Sequence, residues 1–164
     1  MNQIKNRGDR QTSKKHLRCF IISPIGQAGS KIREEADAVL DYIIKPALSK
    51  IKADGGPAIE AIRSDNIGIP GRIEEQMLEA ILTYDLCIAD LSGNNPNVFY
   101  ELAIAQAAGR PVVLMCRAGE SLPFDVKDYR NIEYDLKPRS IKEDKWVPEV
   151  AEHVKGVLAA DYSP

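Results

Sequence analysis

The strongest constraint on the fold is an alternation of short apolar runs with longer segments of helical periodicity. Short runs rich in branched aliphatic residues predict strands, and a period of about 3.6 residues predicts helices. Because a helix between two strands returns the chain to the same edge, this alternation predicts an α/β fold with a parallel sheet. The predicted strands are 17–23, 58–65, 86–91, 111–116 and 131–136, and the predicted helices are 30–52, 71–84, 96–109 and 146–159.

Residues with strong positional preferences set the predicted helix ends. Ser30 and Asn95 are predicted N-caps, and Pro96 takes the first helical position after Asn95. Gly109 is predicted to end that helix, because glycine readily adopts the left-handed conformation common at helix ends. Pro46 lies inside the first predicted helix, and we expect it to kink the helix or to begin a new turn, since proline has no N–H to donate.

Length and charge narrow the functional class. The chain has 164 residues, of which 44% are hydrophobic and 28% charged, and this suits one globular domain with a buried core. A net charge of −2 argues against a general nucleic-acid binder, and no apolar run approaches the roughly 18 residues of a membrane span. The polar residues 1–16 predict a disordered tail, and residues 17–160 a single domain.

Cysteine and histidine offer little for metal or triad chemistry. Cys19, Cys87 and Cys116 each fall in an apolar predicted strand and lack the spacing of metal ligands. Buried, reduced thiols of this kind predict a cytoplasmic protein. His16 lies at the end of the predicted tail and His153 near the other end of the chain. We therefore expect neither a zinc site nor a histidine-based triad, and no resident cofactor.

The segment SPIGQAGS, after the first predicted strand, is a candidate ligand-binding loop. It leads from the carboxyl end of a strand to a helix N-terminus, where open α/β sheets bind ligands and where free amides favour a phosphate. It lacks the Gly-Lys-Ser/Thr of a Walker loop and the spacing of GxGxxG, and an ordinary turn would have the same composition. The predicted binding residues of this loop are Ser23, Pro24, Ile25, Gly26, Gly29 and Ser30.

Three carboxyl groups are predicted to lie on one rim of the sheet. Asp65 follows the second strand, Asp90 ends the third, and Glu101 lies on the helix after it. Either aspartate could instead cap a loop or a helix, which is the more common use of such a residue. A response-regulator pocket is excluded, because it needs acidic residues where this chain has Ser23 and Pro24.

Glu101 is the leading catalytic candidate, because it interrupts an otherwise apolar helix. That helix is predicted to be buried on most sides, so holding a carboxylate there costs free energy. A structural acid near a helix start is the alternative. Without a partner His, Lys or metal, a carboxylate is suited to attacking or stabilising a cationic sugar carbon, as N-glycosidic cleavage requires. The predicted substrate contacts nearby are Asn95, Asn97, Phe99 and Tyr100, with helix packing as the alternative for the two aromatic residues.

Several segments resemble one group of enzymes. FIISPIG, IRSDNI and, most specifically, ADLSGNNPNVFYEL are similar to the TIR-like branch found in bacterial antiphage effectors, which is related to nucleoside deoxyribosyltransferases. The match covers roughly residues 18–136. The resemblance implies a flavodoxin-like, doubly wound sheet of about five mainly parallel strands, with helices on both faces. It also implies that Glu101 cleaves the N-glycosidic bond of NAD or a related nucleotide and releases nicotinamide, with residues 23–29 lining the pocket.

One position departs from the related transferases. They carry an Asp six residues before the catalytic Glu, where it helps to handle the base, and this chain has Asn95 there. An amide cannot protonate a leaving base, but nicotinamide leaves NAD as a neutral molecule and needs no proton. The substitution therefore favours NAD over base exchange, although Asp90 could compensate.

Two other functions stay open. One is that of a nucleoside 2-deoxyribosyltransferase or nucleotide N-ribohydrolase, and the other is that of a non-catalytic nucleotide-binding or assembly module. TIR-like effectors often act after assembly, so the resemblance also implies a partner, either further copies of the chain or a separate sensor protein. No nucleic-acid or membrane partner is expected, and NAD is expected as a substrate rather than as a cofactor.

Overall fold

The computed structural model describes residues 16–66 and 73–159, and these contain all the predicted strands and helices in the predicted order. Most of the predicted tail and the first two residues of the predicted helix 71–84 lie outside the described residues. The strands are β1 (His16–Ile22), β2 (Ala58–Arg63), β3 (Leu86–Asp90), β4 (Val112–Arg117) and β5 (Asn131–Tyr134). The helices are α1 (Lys31–Val39), α2 (Lys45–Ala53), α3 (Ile73–Thr83), α4 (Pro96–Ala107), α5 (Pro138–Lys142) and α6 (Val147–Val157).

The strands form one parallel sheet in the order β2-β1-β3-β4-β5. Phe20 of β1 pairs with Ile62 of β2 and with Cys87 of β3, so β1 has a neighbour on both edges. Met115 of β4 pairs with Ile132 of β5. This strand order confirms the expected flavodoxin-like α/β fold.

Helices cover both faces of the sheet. Strand β3 is buried along its whole length. Leu86 and Ile88 pack in a cluster with α2 and α6, whereas Cys87 and Ala89 pack in a second cluster with α3 and α4. Successive residues of a strand point to opposite faces, so a continuous apolar run is what a central strand of a doubly wound sheet requires.

The predicted first helix is interrupted by a π-helical segment, Leu40–Ile44, between α1 and α2. The N–H of Lys45 bonds to the carbonyl of Leu40, one residue further back than in an α-helix. Pro46 follows directly and has no N–H to donate. The expected disturbance at Pro46 thus takes the form of one widened turn, and Ile43 and Ile44 stay buried in the core.

Two strands, β2 and β5, end two residues earlier than predicted because local polar contacts take over. β2 ends at Arg63, and the next residues, Ser64–Asn66, form a 3-10 turn. β5 ends at Tyr134, after which the carboxylate of Asp135 accepts the N–H of Lys137. The short helix α5 that follows was not predicted.

The strand order also determines where a ligand site is expected. From β1 the chain crosses to β2 on one side, whereas from β3 it crosses to β4 on the other side. The loops after β1 and β3 therefore diverge at the carboxyl edge of the sheet, and in open α/β sheets ligands bind in the crevice between two such loops.

Candidate active site

A small cavity lies at the carboxyl edge of the sheet, between the loops after β1, β3 and β4. Its volume is about 110 Å³, below the roughly 300 Å³ of a typical small-molecule pocket. It can therefore hold one chemical group rather than a whole nucleotide. Three of the predicted site residues, Pro24, Asp90 and Asn95, line it. The other lining residues are Ile32, Glu35, Ala36, Ser92, Gly93, Arg117, Glu120 and Tyr134.

Asp90, Ser92 and Tyr134 form a ring of short contacts in the wall of this cavity. Ser92 Oγ lies 2.6 Å from Oδ1 of Asp90, and the Tyr134 hydroxyl lies 2.8 Å from Oδ2. The two hydroxyl oxygens are 2.9 Å apart. The N–H of Ser92 also donates to Oδ1, and the N–H of Arg117 donates to Ser92 Oγ at 2.9 Å. The ring thus joins the end of β3 to β4 and β5.

The three contacts of the ring need three hydrogens, and the two hydroxyl groups supply only two. A proton on Asp90 supplies the third, so that each contact has one donor and one acceptor. Burial favours the same state, since Asp90 is only 3% exposed. Desolvation raises the pKa of this carboxyl above its usual value, against the lowering effect of its hydrogen bonds to Ser92 and Tyr134. Asp90 is therefore best satisfied as a carboxylic acid.

Residues of the loop after β4 also hold the loop between β3 and α4 in place. The N–H of Gly93 donates to Glu120 Oε2 at 2.7 Å, and Asn94 Nδ2 donates to the carbonyl of Ser121 at 3.2 Å. Gly93 and Asn94 have φ values of 74° and 50°, a region that glycine and asparagine tolerate better than other residues. These contacts, together with the ring, fix the direction in which α4 begins.

Asn95 and Pro96 begin α4 as the sequence predicts. Asn95 Oδ1 accepts the N–H of Asn97 at 2.9 Å, so Asn95 caps the helix while it lines the cavity. Phe99 packs against the hydrophobic cluster that α3 and α4 form with the sheet, so it has the helix-packing role that was the alternative to substrate contact. Tyr100 is 62% exposed and is the more accessible of the two aromatic side chains.

Glu101 is half-buried on α4, one turn after the buried Val98. It has no hydrogen bond or ion pair with any of the described residues, and desolvation alone raises the pKa of its carboxyl from 4.5 to about 7. A partly buried carboxylate without a partner reduces stability. Glu101 does not line the small cavity, whereas Asp90 does. The two carboxyl groups therefore lie on adjacent elements, β3 and α4, but do not line the same cavity.

The β1–α1 loop contributes fewer cavity contacts than the sequence suggests. Among its predicted residues, Pro24 lines the cavity. Ser30 caps α1 by accepting the N–H of Arg33 at 3.2 Å. A Cβ added to Gly26 would lie 3.0 Å from that same N and 2.9 Å from Ile32 Cβ, so this glycine allows the loop to pack against α1. Ser23 Oγ is buried and has no hydrogen-bond partner among the described residues, an arrangement that costs free energy unless a ligand satisfies it.

Asp65 lies in an ion-pair network beside β2. Its carboxylate contacts Arg63 Nε at 2.7 Å and Arg33 Nη2 at 2.5 Å, and Arg63 also pairs with Asp37. The hydrogen bond from Arg63 is the main cause of a lowered pKa at Asp65. Because Arg63 is buried, it needs such partners. The contacts favour the structural alternative for Asp65 over substrate binding.

Most of the ring was missed by sequence reasoning. Tyr134 follows Asp90 by 44 residues, and only the strand order brings the two together. Ser92 did have a local signal, because an aspartate often accepts the N–H of the residue two positions later. Arg117 is the last residue of β4, and Glu120 lies in the loop after it, whose composition is that of any loop.

Three observations on the described residues bear on the other predictions. Nowhere in 16–66 or 73–159 do three or more His, Cys, Asp or Glu side chains form a group that could hold a metal ion. None of the helices in these ranges has the length and apolar character of a membrane span. Cys19, Cys87 and Cys116 are buried free thiols.

Comparison with known proteins gives a fold but no family. No protein-family model and no curated protein matches the chain. A conserved protein from Enterococcus faecalis V583 is similar in structure, with 17% identity and a TM-score of 0.53 over 86% of this chain and 98% of that protein. A 2-deoxyribosyltransferase from Bacillus psychrosaccharolyticus shows 15% identity and a TM-score of 0.49 over 73% of this chain and 99% of that enzyme. At these identities the likeness shows the fold alone.

Replacing Glu101 by Gln should stabilise the protein above about pH 7. The raised pKa means that the folded state retains a proton that the unfolded state releases between pH 4.5 and about 7, so wild-type stability falls as pH rises through this window. Glutamine does not ionise, so the variant does not lose this stability. We expect its free energy of unfolding to exceed that of the wild type by about 1–3 kcal/mol above this pH range and to differ little below it. Urea unfolding at about pH 4.5, 6 and 8 measures the difference.

The exposed Glu74, on α3, provides the matched control, because Glu74→Gln removes a carboxyl group that solvent already reaches. A loss of stability in Glu101→Gln at about pH 8 would contradict the prediction, since it would mean that the charged form makes stabilising contacts.

Proposed function

We propose that this protein cleaves the N-glycosidic bond of NAD, or of a closely related nucleotide, and releases nicotinamide, with Glu101 as the catalytic residue. The observation that carries the proposal is the state of Glu101, a half-buried carboxyl on α4 whose pKa is raised by desolvation alone. Perturbed carboxyl groups without a structural partner are concentrated at functional sites. The similarity of ADLSGNNPNVFYEL to TIR-like enzymes gives independent support, because it aligns Glu101 with their catalytic acid.

The proposed reaction breaks the bond between C1′ of the ribose and the ring nitrogen of nicotinamide. The electron pair of that bond moves to the ring nitrogen, which is cationic in NAD, so nicotinamide leaves as a neutral molecule. C1′ becomes cationic and is stabilised or attacked by the carboxylate of Glu101. Water then completes the hydrolysis and leaves ADP-ribose and a proton. A poorly solvated carboxylate stabilises such a cation better than a hydrated one does.

The positive charge of the nicotinamide ring in NAD is compatible with the raised pKa of Glu101. At neutral pH a group with a pKa of about 7 is only partly ionised. A cationic nicotinamide ring bound nearby favours the ionised form and lowers the pKa. Binding of NAD would therefore bring Glu101 into its reactive state, whereas an uncharged nucleoside would not.

A neutral nucleoside is the second candidate substrate, and the state of Asp90 favours it. A purine or pyrimidine base leaves more easily when an acid protonates it. Asp90 lines the small cavity and is best satisfied as a carboxylic acid, so it can supply that proton. This arrangement would suit a nucleotide N-ribohydrolase or a nucleoside 2-deoxyribosyltransferase.

Glu101→Gln should abolish most of the activity and leave the protein folded. The change nearly preserves size and helix propensity and removes the charge, so we expect base release to fall about a thousandfold, or roughly 4 kcal/mol of transition-state stabilisation. The measurement is chromatographic detection of bases released from NAD, NADP and several nucleosides, with Glu74→Gln as control. Full activity in folded Glu101→Gln would refute the assignment. Nucleotide binding without base release by the wild type would indicate a non-catalytic module.

The kcat/KM for NAD should rise with pH through an apparent pKa near 7 and then level off. Only the ionised form of Glu101 can stabilise the cationic carbon, and the free protein gains this form as pH rises through about 7. Initial rates at low NAD concentration, between about pH 5 and 9, give the profile. A rate that falls as pH rises through 7 would contradict a role for the carboxylate.

Asp90→Asn should impair cleavage of a neutral nucleoside more than cleavage of NAD. Asparagine cannot donate a proton to a leaving base, and such an acid contributes about 100-fold or more to the rate, whereas nicotinamide departs without one. We expect at least a tenfold difference between the losses on the two substrates. Tyr134→Phe, which opens the ring but keeps the carboxyl, is the control for loop position. Equal losses on both substrates would show that Asp90 acts only by holding the loop.

A further inference from the structure

A second and larger cavity lies at the opposite edge of the sheet, where β4 begins. Its volume is about 720 Å³, within the roughly 300–1,000 Å³ of small-molecule sites. The end of α4, the start of β4, the residues before β5 and one side of α6 enclose it. None of the residues assigned above to the candidate active site lines it, so any ligand here would be separate from the proposed substrate.

The late start of β5 produces this cavity. β3 pairs with β4 from Val112 onward, but β5 first pairs with β4 at Leu114. Val112 and Val113 therefore have no strand beside them on the β5 side, and with Val157 of α6 they form an apolar wall. The ring of Tyr129 also lines the cavity and is 53% exposed. This wall suits an aromatic or aliphatic group.

Positive charge lies beside the apolar wall. Arg110 and Arg130 both line the cavity. The Nε of Arg110 is shielded from solvent and has no hydrogen-bond partner, and the described residues provide no ion pair for either guanidinium group. Glu152 also lines the cavity, but its carboxylate is paired with Lys155 at 2.9 Å. The unmatched charge of the cavity is therefore cationic, and a buried donor without a partner favours binding of an acceptor.

We propose that this cavity binds a small amphipathic organic anion. The apolar body packs on the valine wall and Tyr129, and a carboxylate, sulfonate or phosphate group pairs with Arg110 and Arg130. Both parts are needed, because the charged group alone would stay hydrated and the apolar body alone would leave Arg110 without a partner. The site is independent of the N-glycosidic cleavage proposed above.

A pair of dyes separates the two contributions. 1-Anilinonaphthalene-8-sulfonate and N-phenyl-1-naphthylamine share the same aromatic body, and only the first carries an anionic group. Both become fluorescent in apolar surroundings, so titration of the full chain gives the Kd of each. Arg110→Gln/Arg130→Gln removes the charge of the cavity. Arg139→Gln is the matched control, because Arg139 is exposed on α5 and pairs only with Glu143 among the described residues. Thermal melts confirm that each variant is folded.

The double variant should bind the anionic dye at least tenfold more weakly and the neutral dye unchanged, whereas Arg139→Gln should change neither. Gly156→Phe should weaken both, because Gly156 lines the cavity and has open space where a side chain would start. If the double variant does not fold, Arg130→Gln alone should still weaken the anionic dye about threefold.

Three results would overturn the proposal. The first is that neither dye binds the wild type. The second is that the two dyes lose affinity equally in the arginine variants, or that Arg139→Gln has the same effect as they do, since the arginines of the cavity would then play no specific part. The third is that both dyes bind Gly156→Phe unchanged, since binding would then occur elsewhere.

Discussion

The hydrogen-bonded ring of Asp90, Ser92 and Tyr134 is the interaction on which the candidate active site depends. It connects β3 with β5, two strands that are not neighbours in the sheet, and the N–H of Arg117 adds β4 to the same network. Ser92 also begins the 3-10 turn, Ser92–Asn94, in the loop that leads to the N-cap of α4. The direction of α4, and with it the place of Glu101, therefore depends on one buried acid at the end of a central strand.

Burial affects the carboxyl groups of Asp90 and Glu101 in opposite ways. Asp90 is almost inaccessible, yet each of its oxygens has a hydrogen-bond partner. Glu101 is less buried but has no partner among the described residues, so its raised pKa reflects lost hydration alone. The first arrangement stabilises a loop, and the second reduces stability at neutral pH. A chain that retains such an unfavourable carboxylate beside a rigid loop has the features expected of a site where charge develops during a reaction.

The parts of this structure that local sequence determines were predictable, and the parts that depend on strand order were not. The alternation of strand and helix patterns was enough to predict five strands in a parallel sheet. Asn95 and Pro96 were enough to predict where α4 begins. Glu101 stood out because its neighbours on the helix are apolar. Tyr134 gave no signal, because an aromatic residue at the end of a short strand usually packs in a core. Asp65 was predicted on the same rim of the sheet as Asp90, but Arg33 and Arg63 hold it in an ion-pair network. That network can be predicted only when the side chains that meet between α1 and β2 are known.

The two edges of a parallel sheet differ in electrostatics, and this bears on what the larger cavity can bind. Helices that follow strands point their N-termini to the carboxyl edge, so that edge has a favourable potential for anions. The amino edge receives helix C-termini, whose unpaired carbonyls repel anions. A ligand with negative charge needs cationic side chains there, and Arg110 lies three residues after the end of α4, with its N–H bonded to the carbonyl of Ala105. That position also offsets part of the charge of the Arg110 guanidinium group, which has no ion pair among the described residues.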